Sequence, residues 1–190
     1  DGHELTWQTN YLSHFLLTEL LLPLLKESGD ESRIVNVSSR AHFGAGQINL
    51  ETVDRREGYE TRDAYSRSKL AQVMHAAYMT KLLRLEGSPV TINACHPGIV
   101  YTRIMRHTPF ATNSILRACL APVAWFALKT PKDGAQCPVY CALSKELNGV
   151  SGKYAAECKI QSANELVKDE KLCKELYEYS KRACGLEKDE

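Results

Sequence analysis

No stretch of this sequence is both long and clean enough in apolar residues to cross a bilayer. The most apolar segment, Phe110 to Leu128, is broken by Asn113, Arg117 and Pro122 and falls short of the roughly 20 uninterrupted residues a span needs. It reads better as a surface-seeking or substrate-covering segment. Charge of one sign is also lacking. With 24 basic against 23 acidic side chains the formal balance is +1, so electrostatics does not make nucleic acid or an anionic membrane the main partner. Aromatics are sparse at 8%, while 44% apolar and 25% charged residues fit one ordinary globular domain over 1–190.

The cysteines, at 95, 119, 137, 141, 158, 173 and 184, are an odd set of seven with no CxxC pair. They read as reduced thiols in a cytosol-facing protein rather than a disulfide framework. Cys137 and Cys141 share a helix face, but no nearby His or Cys pair completes the four ligands zinc takes, so no metal is expected. Residues 1 to 15 lack the basic end and apolar core of a secretory signal. They open directly into an amphipathic helical pattern without an initiator Met, and the expectation is a chain cut from something longer.

What is there alternates between two periodicities. Leu12, Phe15, Leu16 and Leu20 recur at helical spacing, and Ser28-Gly29 supplies a stop, which predicts one helix over 4–28 with Pro23 near its last turns. Arg33-Ile34-Val35-Asn36-Val37 is short and β-branched and predicts a strand buried on both faces. Residues 40–62 have no sustained period and predict an irregular surface excursion. Asp63 is placed to cap a helix running to Glu86, where Gly87 and Pro89 end it. Eight of the ten residues from Leu70 to Met79 are apolar, more than one buried face requires, so this helix is expected to be covered on both sides. Val90 to Cys95 predicts a second strand, Asp133 a cap for a helix through Leu143, Gly149 to Tyr154 a brief third strand, and 169–184 a charged terminal helix. Helix, strand, helix, strand, helix, strand is the alternation of a parallel sheet with crossover helices.

Chemistry concentrates at three places. Tyr65-Ser66-Arg67-Ser68-Lys69 puts a phenol and an ammonium four residues apart, on one face near the start of a helix. A free tyrosine titrates near ~10; a cation beside it and a helix N-terminus both favour the phenolate, which suits the phenol to general acid and base work. Alone this motif is a weak signal. Two further features sharpen it: Ser38-Ser39 ends the first strand and His96-Pro97-Gly98 ends the second, where an open parallel sheet presents residues to a ligand crevice.

These motifs resemble the short-chain dehydrogenase/reductase family. Thr9-Asn10-Tyr11-Leu12-Ser13 is similar to its helix asparagine segment, Val35-Asn36-Val37-Ser38-Ser39 to its serine strand, Tyr65 to Lys69 to its Tyr-x-x-x-Lys signature, and His96-Pro97-Gly98-Ile99-Val100-Tyr101-Thr102 to its Pro-Gly loop. The match runs in order across about residues 1–155. The 26-residue step from Ser39 to Tyr65, with Ser39-Arg40-Ala41-His42, Thr130 to Gln136 and Gly149 to Tyr154, looks like the retinol dehydrogenase branch. The resemblance implies the C-terminal part of a doubly wound, Rossmann-type α/β sheet. It also implies hydride transfer between NADP, or alternatively NAD, and a lipophilic alcohol, aldehyde or ketone, with retinal-like compounds first.

By position, Tyr65 would exchange the proton and Ser39, with Ser38 as fallback, would hold the substrate oxygen. Lys69 would hold the phenolate and the nicotinamide ribose, while Asn10 would hold a water joining Lys69 to solvent. Pro97 and Gly98 would let backbone approach the nicotinamide, and Val100 and Thr102 would contact its carboxamide. The resemblance gives His14 and His96 no catalytic role, and packed or hydrogen-bonded histidines are expected. Phe110 to Leu128 lies where the family's substrate loop lies.

Two departures stand out. Ser13 replaces a more usual glycine, with a changed packing against the strand as the consequence to look for. No Gly-rich phosphate turn occurs; Gly44 and Gly46 follow Ser39 in a loop and do not fit it. In the family that turn precedes the position of Asp1, together with the first four strands of a seven-stranded sheet. The first strand here is therefore expected to present an open edge, and these residues alone are expected to bind nicotinamide cofactor weakly or not at all. Membrane association, at the endoplasmic reticulum in that branch, would come from an N-terminal segment. The competing reading is a catalytically silent fragment that acts as an interaction module, pairing as a homodimer or with a relative through helix 63–86.

Overall fold

A computed structural model of the chain describes residues 2–29, 32–54, 59–100 and 128–186. Four strands form one sheet in the order β1-β2-β3-β4: β1 Arg33–Val37, β2 Thr91–His96, β3 Tyr154–Ala156 and β4 Lys159–Gln161. β1 and β2 are parallel with Ile34 opposite Ile92, β2 and β3 are parallel with Ala94 opposite Tyr154, and β4 returns antiparallel. The sheet is thus a mixed one within the α/β class. The segments 101–127, including Thr102 and most of the 110–128 stretch, lie outside the described residues.

Helices cover both faces of the sheet. α1 Leu5–Trp7 runs through a wider turn, Gln8–Leu12, into α2 Ser13–Glu27; α3 is Thr61–Leu85, α4 Pro131–Leu143 and α5 Glu170–Ala183. Alternate residues of a strand point to opposite faces. Accordingly Ile92, Ala94, Tyr154 and Ala156 pack with Val73, Ala76, Met79 and Leu83 of α3, whereas Cys95 and Ala155 pack with Cys137, Cys141 and Leu147 on the α4 side. Behind α3, Trp7, Tyr11, Phe15, Leu70, Met74 and Leu176 form a third cluster that joins α1, α2 and α5 to it. α3 is therefore covered on both sides by its own chain, which removes the unpartnered apolar surface that the interaction-module reading relied on.

Several sequence expectations need correction. The first helix is not regular: Ser13 N–H reaches back five residues to the Gln8 carbonyl, a π turn of the kind that often marks functional positions. Ser13 itself is exposed and donates its hydroxyl to the Thr9 carbonyl at 2.8 Å, so it does not pack on a strand. Of the residues in β1 only Asn36 is buried, and Val37 is 44% exposed, because among the described residues β1 has a neighbouring strand on one side alone. The open edge expected of the first strand is present in that sense.

α3 begins at Thr61, with Glu60 at the cap position and Asp63 inside the first turn. Asp133 is likewise a first-turn residue of α4; Thr130 caps it, accepting from the Asp133 N–H at 3.2 Å and donating its hydroxyl to the Asp133 carboxylate at 2.6 Å. The third strand starts only at Tyr154, since Gly149 and Gly152 have φ of +69° and +74°, outside any strand conformation. β4 was not foreseen. Its hairpin turn uses Glu157 and Cys158 at φ of 51° and 53°, a left-handed pair normally supplied by Asn, Asp or Gly.

Candidate active site

The π turn places Asn10 against α3. Asn10 Nδ2 donates to Ser68 Oγ at 3.1 Å, and Ser68 Oγ donates to the Tyr65 carbonyl at 2.7 Å. The Asn10 backbone carbonyl accepts from Gln72 Nε2 at 2.6 Å. Asn10 therefore meets the face of α3 that carries Tyr65 and Lys69, through the side chains of Ser68 and Gln72.

β1 delivers its serines to the same place. Ser38 is 3% exposed; its hydroxyl donates to the Lys69 carbonyl at 2.7 Å, and its N–H donates to Cys95 across the sheet at 2.7 Å. That leaves Ser38 as a splice between β1, β2 and α3. Ser39 is half-buried, and its Oγ accepts only the Ala41 N–H, at 3.2 Å, so its hydroxyl proton is uncommitted among the described residues. Of the two serines it is Ser39 that can donate to a ligand oxygen. Its turn is locked by His42, fully buried, whose Nδ1 lies 2.7 Å from the Ser39 carbonyl and whose Nε2 accepts from the Asn164 N–H at 3.3 Å. Burial holds His42 below the ordinary histidine range, against the opposing pull of the Ser39 carbonyl. The neutral ring, donor on one side and acceptor on the other, is what this geometry needs.

The Lys69 ammonium lies 5.7 Å from the centre of the Tyr65 ring. It donates to the Val37 carbonyl at 3.0 Å and to Gln72 Oε1 at 3.3 Å. Burial pushes its pKa down, and the Cys95 thiol pulls weakly the other way. An ammonium has three N–H donors; the third has no hydrogen-bond partner among the described residues. The Tyr65 hydroxyl also makes no hydrogen bond to another described residue, so the phenol is free to meet a substrate.

At the end of β2, Gly98 has φ of +93°, and a Cβ there would come within 2.7 Å of Lys129 Cδ. The Lys129 side chain fills the space a Cβ would take, and the positive φ is one that glycine adopts without strain. Lys129 is pinned by Glu157 at 2.8 Å and its N–H donates to the Ile99 carbonyl at 2.8 Å. Val100 turns its side chain onto Gly134 of α4, where an added Cβ would meet Val100 Cγ2 at 2.4 Å. Only its backbone is then left to face a ligand. His96 is buried, whereas His14 is exposed and bonds Ser13 Oγ at 3.2 Å. No group of three or more His, Cys, Asp or Glu among the described residues could hold a metal ion. The residues sequence reasoning missed are Gln72 and the His42–Asn164 lock. Helical spacing from Lys69 pointed to the first; nothing local pointed to the second.

An α/β sheet covered by helices on both faces, whose parallel strand β1 ends beside Lys69 and the neighbouring Tyr65 of α3, is of the Rossmann type. The chain belongs to the short-chain dehydrogenase family, whose model matches residues 3–111. It is 40% identical over 186 residues to retinol dehydrogenase 14 of Mus musculus, covering 98% of this chain and 54% of that protein. It is 38% identical over 189 residues to polyprenol dehydrogenase of Homo sapiens, covering 98% and 56%. The chain thus spans about half the length of the relatives it matches. An uncharacterized protein of Mycobacterium paratuberculosis shares the fold with a TM-score of 0.72 and 29% identity, over 97% of this chain and 60% of that one. The NADPH-bound carbonyl reductase from chicken fatty liver superposes with a TM-score of 0.53 at 23% identity, over 82% and 55%, a likeness of fold.

Proposed function

We propose that this chain is the catalytic part of an oxidoreductase that transfers a hydride between a nicotinamide cofactor and a lipophilic alcohol, aldehyde or ketone, retinal-like compounds first. The observation that carries the reading is the Lys69 ammonium 5.7 Å from the Tyr65 ring, held by the Val37 carbonyl at the end of the strand that Ser38 and Ser39 follow. When bound, the nicotinamide supplies or accepts the hydride. Tyr65 gives its proton to the carbonyl oxygen in reduction and takes the hydroxyl proton in oxidation. Ser39 would donate a hydrogen bond to that oxygen, and Lys69 would balance the phenolate, its third N–H being the group available to hold the ribose of a bound nicotinamide. The Pro97–Gly98 turn and the Val100 backbone would border a bound nicotinamide, and the family resemblance assigns its carboxamide to Val100 and Thr102, the latter outside the described residues.

These residues suit the nicotinamide half of the cofactor. The adenosine half needs a Gly-rich turn, which is not among the 190 residues. NADP is the preferred form because the retinol dehydrogenase branch tends to use it, with NAD the alternative. The names of the relatives, retinol and polyprenol dehydrogenase, denote isoprenoid alcohols and support a lipophilic substrate. Among the described residues no helix is long and apolar enough to cross a membrane; the cytosol-facing, reticulum-associated location belongs to the proposal through the same branch.

The test is NADPH oxidation with all-trans-retinal and a panel of lipophilic carbonyls, run with NADPH far above micromolar so that weak binding does not mask turnover. Tyr65→Phe should lower turnover by about 10²- to 10⁴-fold, the usual worth of a general acid, with the fold intact by circular dichroism. Undiminished turnover in that variant overturns the mechanism. Fluorescence titration with NADPH should show binding weaker than micromolar.

A further inference from the structure

Gln72 is 2% exposed and sits three residues beyond Lys69 on α3. Its amide faces two members of the site at once: Nε2 donates to the Asn10 carbonyl at 2.6 Å, and Oε1 accepts from Lys69 Nζ at 3.3 Å. Its backbone carbonyl accepts from Asn36 Nδ2 at 3.1 Å, so β1 holds it from the other side. The amide has one orientation that satisfies both neighbours, because a carbonyl can only accept and an ammonium can only donate.

We propose that Gln72 is a positioning residue for Lys69, fixing the ammonium between the Val37 carbonyl and the Tyr65 ring and linking it directly to the Asn10 carbonyl. The inference rests on the reading of Tyr65 and Lys69 as a proton-transfer pair. A lysine stem has many rotamers, and ordering it needs a partner. No carboxylate among the described residues pairs with Lys69. Facing it are Tyr65 from α3, the Val37 carbonyl at the end of β1, and Gln72, which supplies the one side-chain oxygen it hydrogen-bonds among the described residues; the titratable Cys95, packed on the other side of the sheet, acts on it only through space. That oxygen offsets part of the burial cost of the charge. A water at this place could pass a proton from Lys69 to the Asn10 side; an amide bridges the two without relaying one. Proton exchange at Lys69 is thereby left to its third N–H.

The experiment uses the full chain with ¹³Cε-labelled lysine, the Lys69 resonance being assigned by Lys69→Arg. In Gln72→Met, similar in length but without hydrogen bonds, the Lys69 titration midpoint should fall by about one pH unit. In Gln72→Glu, which keeps an acceptor and adds charge, it should rise by a comparable amount. Turnover of Gln72→Met with NADPH and retinal should drop about ten-fold, the worth of one charge-assisted hydrogen bond, with KM little changed. Gln72→Glu should recover part of it. A Lys69 midpoint unmoved in both variants, with both folded, overturns the inference. A midpoint that moves as expected while Tyr65→Phe keeps full turnover supports the positioning role and overturns the proton-pair reading instead.

Discussion

The two faces of the sheet are built differently. The α3 face is packed with large side chains and carries a linked set of buried polar groups: Asn36 to Gln72 and His75, Gln72 to Asn10 and Lys69, Ser38 to Lys69, Thr80 to Ser151. The α4 face closes with small ones, Cys95, Cys137, Cys141 and Ala155, each buried. Buried polar groups fix geometry because each unmet partner costs its full desolvation, whereas small apolar groups fill space and tolerate exchange. The difference is one of degree: the face where the chemistry stands is positioned by a linked set of buried polar groups, whereas the α4 face fills mainly with small side chains and is tied at its margin by Asn93 and Arg33.

The comparison can be broken by substitution and by pH. Phe15 is fully buried, with the ring of His75 centred 5.0 Å away and that of Tyr177 5.4 Å away. Phe15→Ala should destabilise the chain by about 3–5 kcal/mol in urea unfolding, the largest of these effects.

Next comes pH. Burial lowers His75 to about 4, and its Nε2 has no hydrogen-bond partner among the described residues, so the folded state holds the neutral ring. The unfolded ring takes its proton near ~6.5. Since the unfolded state binds more protons between these values, the contribution is full above the higher one and is lost as pH falls toward the lower. About 3 kcal/mol should disappear across that window. His75→Leu should flatten most of the slope; His42 and His96, also lowered by burial, supply the rest.

Asn36→Ala removes a donor shared by the Gln72 carbonyl and His75 Nδ1 and should cost about 1–3 kcal/mol. Cys95→Ala on the opposite face should cost about 1 kcal/mol, the removal of one small apolar group. Were the Cys95 change to cost as much as the Asn36 change, the contrast between the faces would fail.

Much of the frame was legible from the chain itself. β1 was placed to the residue because a β-branched pentamer bounded by polar residues has few alternatives, and α5 and α3 emerged within a few residues from their periodicity. The starts of α3 and α4 were misread because an acidic first-turn residue and a true cap carry the same local signal. β4 was invisible because Glu157 and Cys158 are not residues that announce a left-handed turn. The π turn left no mark either, since one widened turn does not disturb the spacing of Leu12, Phe15 and Leu16. At the site, the choice of Ser39 over Ser38 came from resemblance. What the structure adds is that the Ser38 hydroxyl is committed to the Lys69 carbonyl.

By itself the sequence determined what depends on near neighbours: a phenol and an ammonium one helical turn apart, two serines closing a strand, a glycine where the backbone must bend. Tertiary structure alone decided which groups meet across the fold. Asn10 reaches Ser68 over 58 residues, Gln72 reaches Asn10 over 62, and Ser38 reaches Lys69 over 31. Such meetings depend on sheet register and on how each helix is rotated about its axis, and those are set by the packing of the whole core rather than by any local run of residues.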